Sequence, residues 1–82
     1  MTPSPEAASA ALYTSVAEVL QIDSARPQDN FIELGGNSLL AVILANRMEE
    51  EFGTRLDLMD IFSLELGQLA TRFHEALSQA NG

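Results

Sequence analysis

The sequence predicts an all-α fold, a small four-helix bundle of three main helices and one short one, and three observations point that way. Apolar residues recur at helical spacing along most of the chain. Residues suited to helix ends stand where those stripes start and stop. A length of 82 residues with 46% hydrophobic content suffices for one core and not for two.

The first helix is expected from Ser4, a cap, with Pro5 at the first helical position, where its missing N–H costs nothing. Ala8, Leu12, Val16 and Leu20 recur every fourth residue with Val19 beside them, one buried stripe ending near Gln21. Residues 22–36 hold Asp23, Ser24, Pro27, Asp29, Asn30 and two glycines, a loop composition, yet they carry Ile22, Phe31, Ile32 and Leu34. Such a loop must be pinned to the core, and its length marks it as functional.

A second helix should start at Asn37, its N-cap, and run to Phe52, where Gly53 supplies a left-handed stop. Ala41, Leu44, Ala45, Met48 and Phe52 form its inner face. Leu39, Val42 and Ile43 are too many further apolar residues for one stripe, so some of them belong to the surface. A short apolar turn follows at 56–62, and a last helix from about Ser63 carries Leu66, Leu69, Ala70, Phe73 and Leu77. The ends MTPSP and SQANG read as frayed tails around a single domain with its core at about residues 5–79.

A formal charge of −8, with four arginines and no lysine, disfavours nucleic acid and anionic membrane as partners and favours a basic protein surface. Cysteine is absent, which excludes disulfides, thiolate metal sites and a cysteine nucleophile, so any thiol must be borrowed. The N-terminus lacks a signal-like start, and no apolar run nears the roughly 18 residues of a spanning helix. A cytoplasmic monomer is expected.

Ser38 is the residue that needs an explanation. A nucleophile elbow requires glycine two places after the serine and a strand before it; Leu40 stands there and no strand precedes. The single histidine, His74, lies along the last helix and reads as a solvated bystander. Asp29, Asn30, Glu33 and Asn37 do not make a calcium loop, because its obligatory glycine would fall on Leu34. No catalytic residue and no metal site are expected. Taken alone, Ser38 is a first-turn serine that satisfies a backbone N–H.

The surrounding stretch, Asp29-Asn30-Phe31-Ile32-Glu33-Leu34-Gly35-Gly36-Asn37-Ser38-Leu39-Leu40-Ala41, closely resembles the attachment motif of phosphopantetheine carrier proteins. It is most similar to the peptidyl carriers (thiolation domains) of nonribosomal peptide synthesis, which typically read DNFFELGGHSLLA. The likeness continues through Glu50-Glu51-Phe52-Gly53 and residues 56–62 to Leu69-Ala70. Two positions depart from the pattern: Asn37 replaces a frequent histidine or aspartate, and the stretch after Phe62 lacks the usual Pro-Thr and is about one residue short.

The resemblance implies that Ser38 receives 4′-phosphopantetheine from coenzyme A, delivered by a separate phosphopantetheinyl transferase that brings its own Mg²⁺. Acyl or aminoacyl cargo would ride as a thioester on that arm. A helix N-terminus, with unpaired N–H groups and partial positive charge, suits the resulting phosphodiester, with Asn37 beside it. Gly35 and Gly36 keep side chains away from the serine so that a transferase can approach. Further partners implied are an adenylation or acyl-loading enzyme and condensation, tailoring or thioesterase enzymes. The Gly-Gly-Asn-Ser-Leu-Leu-Ala core favours a peptidyl carrier, whereas the acidity resembles acyl carriers of polyketide or fatty-acid synthesis. A plain, unmodified helical interaction module is the remaining alternative. With Met1 first and no flanking domain, a freestanding (type II) carrier is expected.

The second helix also holds the candidate docking residues. Leu39, Val42 and Ile43 lie beside Ser38 and offer apolar area to a partner, the plain alternative being that two of the three pack under the loop. Glu49, Glu50 and Glu51 fall in the last turn, where the helix dipole disfavours anions by about 0.3–1 kcal/mol each. Such a local conflict points to function, with Glu49 and Glu50 steering basic partners; a solvated face relieved by Arg47 and Arg55 is the plain alternative.

Overall fold

A computed structural model of the chain describes residues 3–81, and for residues 80 and 81 the backbone alone. Met1, Thr2 and Gly82, parts of the two expected tails, lie outside the described residues. Four helices follow one another: α1 (Pro5–Leu20), α2 (Ser38–Phe52), α3 (Leu58–Ser63) and α4 (Leu66–Asn81). Helix α1 packs against α4 and α2, and α3 bridges α2 and α4.

The expected ends of α1 and α2 are found, each with a local chemical cause. The Ser4 hydroxyl accepts from the Ala7 N–H at 3.2 Å, and Pro5 opens α1. Its exit is a Schellman turn: the N–H of Gln21 reaches Glu18 O and that of Ile22 reaches Ala17 O. Gln21 takes the left-handed conformation there, with φ of 57°, at a residue that is not glycine. Asn37 Oδ1 caps α2 at the Leu40 N–H, 2.9 Å away. Gly53 ends it with φ of 76°, donating to Glu49 O.

The core is built from the expected stripes. Ala8, Leu12 and Val16 of α1, Ala41, Leu44, Ala45 and Met48 of α2, and Leu66, Leu69, Ala70, Phe73 and Leu77 of α4 are buried, joined by Leu56 and by Ile61 of α3. Val19, Leu20 and Phe52 are half-buried at its margin. Phe52 meets Phe73 edge to face, with centroids 5.4 Å apart. From the loop, Phe31 is fully buried and pins the chain as expected, while Ile32 stands 40% exposed.

Three expectations need correction. The last helix begins at Leu66 and not near Ser63, which is the final residue of α3. Leu64 is extended, its N–H closing α3 on Asp60 O, and the Ser63 hydroxyl folds back onto Met59 O. Distant backbone then decides the new start: the N–H groups of Leu66 and Gly67 donate to the carbonyls of Asp29 and Pro27, each at 2.8 Å.

Within the described residues the tails are helical where fraying was expected. Ser4 and Pro5 belong to the start of α1, and α4 continues to Asn81. His74 is half-buried and not a solvated bystander; its Nε2 lies 3.1 Å from the carbonyl of Pro3, holding the segment before α1 against α4.

Candidate functional site

The loop between α1 and α2 delivers Ser38 through a compact turn with its own start and stop. Asn30 Oδ1 accepts from the N–H groups of Ile32 and Glu33, as a helix cap does. One turn later the N–H of Gly35 reaches Ile32 O and that of Gly36 reaches Phe31 O, both at 3.0 Å, which is a second Schellman arrangement. Gly35 occupies its left-handed position with φ of 106°. Phe31, the first residue of this turn, is also its anchor in the core.

The two glycines have different reasons to be glycine. Around Gly35 a Cβ would meet nothing within 4 Å, so that side of the loop is open, as the approach of a bulky partner requires. A Cβ on Gly36 would lie 2.5 Å from the Phe31 ring and 2.7 Å from its carbonyl oxygen. The lost side chain at Gly36 therefore serves packing inside the loop, and only Gly35 fits the access role expected of both.

Ser38 is the first residue of α2, and its side chain is exposed. Asn37 serves the Leu40 N–H with its side chain and the Ala41 N–H with its carbonyl. By helix geometry this leaves the N–H groups of Ser38 and Leu39 for an external acceptor. No acidic residue occupies the first turn. An exposed hydroxyl, outward N–H groups, the positive end of a helix and an open glycine side together fit a phosphodiester-linked group.

The candidate docking residues divide by exposure. Leu39 is 69% exposed, Ile43 39%, and Val42 is half-buried between them. Positions three and four apart on a helix are surface neighbours, so these side chains border one another next to Ser38. Glu49, Glu50 and Glu51 are exposed in the last turn of α2. Arg55 does reach Glu49, at 3.4 Å, but Arg47 turns away to pair with Glu18 of α1, so the expected relief of the acidic turn by both arginines is only half present.

One exposed apolar residue escaped the sequence reading. Met59 of α3 is 68% exposed between Asp57 and Asp60. The available signal was length: a six-residue helix buries one side, and Ile61 occupies it.

The polar loop residues that invited a calcium reading are engaged elsewhere. Asp29 Oδ2 accepts from the Arg26 N–H, and the Asn30 side chain is bonded on both ends, its oxygen within the loop and its nitrogen to the carbonyls of Phe62 and Leu64. Among the described residues no group of three or more His, Cys, Asp or Glu side chains is placed to hold a metal ion. Among them, too, no helix is long and apolar enough to cross a membrane.

Comparisons with known proteins agree with this geometry. The family model described as "Phosphopantetheine attachment site" matches residues 10–73. Hybrid PKS-NRPS synthetase mycA of Thermothelomyces thermophilus is 33% identical over 66 residues, which cover 79% of this chain and 2% of that protein. Malpibaldin synthetase of Mortierella alpina is 45% identical over 64 residues, 77% of this chain and 1% of that one. The chain thus spans only a small fraction of these relatives' length. Among solved structures, BlmI, a type-II acyl carrier protein from Streptomyces verticillus involved in bleomycin biosynthesis, superposes with a TM-score of 0.79 at 28% identity, covering 89% of each chain. Since the family model spans most of the chain, from α1 into α4, and the fold is that of a carrier, the protein belongs to the phosphopantetheine attachment-site family, whose members carry covalently bound 4′-phosphopantetheine.

Proposed function

We propose that Ser38 is the residue to which 4′-phosphopantetheine is attached, and that the chain is a peptidyl-type carrier serving nonribosomal peptide assembly. The observation that carries the first part is the exposed hydroxyl at the first position of α2, directly after the Gly35-Gly36-Asn37 turn. In the transfer, Ser38 Oγ loses its proton and forms a bond to the phosphorus bearing the pantetheine arm. The bond from that phosphorus to the adenosine half of coenzyme A breaks, and adenosine 3′,5′-bisphosphate leaves. A separate transferase performs this step; the carrier contributes the hydroxyl, its position and the N–H groups that face the new phosphodiester. Once attached, the arm supplies the thiol that the chain's own composition lacks.

Leu39, Val42 and Ile43 serve as the contact surface for partner enzymes, and Glu49 and Glu50 draw in basic surfaces over longer range. The chain itself turns over no substrate. Incubation with coenzyme A and a promiscuous transferase, followed by intact-mass measurement and mapping of the modified peptide, tests the attachment. Unchanged mass, or modification on a peptide without Ser38, overturns it.

A second reading, an acyl carrier of polyketide-type synthesis, is favoured by the likeness to BlmI, described as an acyl carrier, and by the net charge of −8. The two readings separate on the loaded form. An amino-acid thioester formed with ATP and an adenylation enzyme supports the peptidyl type, and an acyl thioester formed only with an acyltransferase supports the other.

A further inference from the structure

We infer that Asn30 is a positioning residue for Ser38, a two-sided clamp that ties the attachment turn to the junction between α3 and α4. The inference rests on the assignment of Ser38 as the attachment residue and adds to it. The side-chain amide of Asn30 faces two different sets of partners. Its oxygen accepts from the N–H groups of Ile32 and Glu33, at 2.9 and 3.1 Å, which starts the turn that ends at Gly36. Its nitrogen donates to the carbonyls of Phe62 and Leu64, each at 3.2 Å and partly shielded from water.

An amide is suited to this place for a chemical reason. Two N–H groups lie on one side and two carbonyls on the other, so the site needs an acceptor and a two-proton donor on one short side chain. Aspartate or serine supplies an acceptor for the turn but cannot donate two bonds across it. The carbonyls of Phe62 and Leu64 stand at the end of α3 and in the extended link to α4, 32 and 34 residues away in sequence.

The surrounding backbone makes the clamp effective. Asn30 pairs with Glu65 in an isolated antiparallel bridge, and Leu66 and Gly67 donate to the Asp29 and Pro27 carbonyls. A Cβ on Gly67 would lie 3.1 Å from Pro27 Cβ, so the two segments are in close contact. Beyond the clamp, Phe31 is buried, Gly36 lies against its ring, and Asn37 caps α2. A continuous chain of contacts therefore runs from the α3–α4 junction through Asn30 to the hydroxyl of Ser38. Where the α3–α4 side of the clamp is lost, the turn can shift against α2 while the exposed face of α2 stays intact.

Asn30→Asp tests this directly, since it keeps the acceptor for Ile32 and Glu33 and removes the donors to Phe62 and Leu64. The assay is transferase-catalysed loading of the full chain with coenzyme A, read by intact mass over a range of carrier concentrations, below the melting temperature of each variant. The expected result is a fall in kcat of about tenfold with KM little changed, because docking survives while the nucleophile is misplaced. Amide hydrogen exchange should show lost protection at Leu66, Gly67 and Gly36, with that of mid-α2 amides retained. If the parent protein takes up no phosphopantetheine, the assignment of Ser38 fails; if the parent loads and Asn30→Asp loads with the same kcat, the clamp alone is overturned. Should the aspartate variant melt below the assay temperature, Asn30→Ser, which is neutral and also lacks the paired donors, takes its place with the same expected split. A change confined to KM in the folded variant likewise overturns the inference.

Discussion

At the scale of single residues, the attachment turn separates two requirements that are adjacent in sequence. Ser38 faces solvent, whereas Gly36 is packed to the limit against Phe31. Ser38→Ala should unfold within about 0.5 kcal/mol of the parent in urea, because Asn37 still caps α2. The same variant should gain no mass with coenzyme A and transferase; if it is still modified, the nucleophile lies elsewhere. Gly36→Ala should cost about 1–3 kcal/mol through overpacking, seen as a lower urea midpoint at unchanged slope. The change at Gly35 differs in kind: there is room for a methyl group, but φ of 106° strains any residue with a Cβ.

At the scale of elements, α2 combines two modes of recognition that can be told apart by salt. Val42→Asp places a charge between Leu39 and Ile43, in a contact that a partner would desolvate, so slower loading should persist at high ionic strength. Glu49→Gln with Glu50→Gln removes long-range attraction, and its deficit should fade as salt shortens the screening length below about 8 Å. Loading rates over a salt series, on variants matched by helical circular dichroism, check both. A deficit of the glutamate pair that ignores salt, or none for Val42→Asp, overturns the division.

The elements also show what the sequence could convey. The ends of α1 and α2 were readable because Ser4, Pro5, Asn37 and Gly53 act on amides and carbonyls within one turn of themselves. The start of α4 was harder to read: Gln68 Oε1 accepting from the Glu65 N–H is a local mark, but the next two N–H groups go to carbonyls of Asp29 and Pro27 nearly forty residues earlier. Arg47 pairing with Glu18 and His74 meeting Pro3 are of the same kind, side chains whose partners only the tertiary fold brings within reach. Ser38 itself stood out through its motif, while the distant half of the Asn30 engagement, to Phe62 and Leu64, had no local signal.

At the scale of the whole molecule, stability rests on one small core shared by all four helices. Net stability of roughly 3–5 kcal/mol is the range such a chain reaches. Leu44→Ala and Phe73→Ala each open a cavity in fully packed surroundings and should cost about 2–5 kcal/mol. Phe73 also loses its edge contact with Phe52. Either change should lower the thermal midpoint sharply or leave no cooperative transition; melts that match the parent would show that neither side chain supports the core.

The stitching of residues 27–30 to 62–67 bears on the order of events during synthesis. On a ribosome, helices α1 and α2 leave the exit tunnel before the segment that completes the serine-bearing turn does. Until about residue 67 is free of the exit tunnel, the side-chain NH2 of Asn30 and the carbonyls of Pro27 and Asp29 lack the partners they have in the finished fold. Contacts so distant in sequence form late, after the loop they close has collapsed. The nascent chain therefore carries the hydroxyl well before it carries the shape around it. An enzyme that recognises that shape acts on finished molecules and passes over incomplete ones.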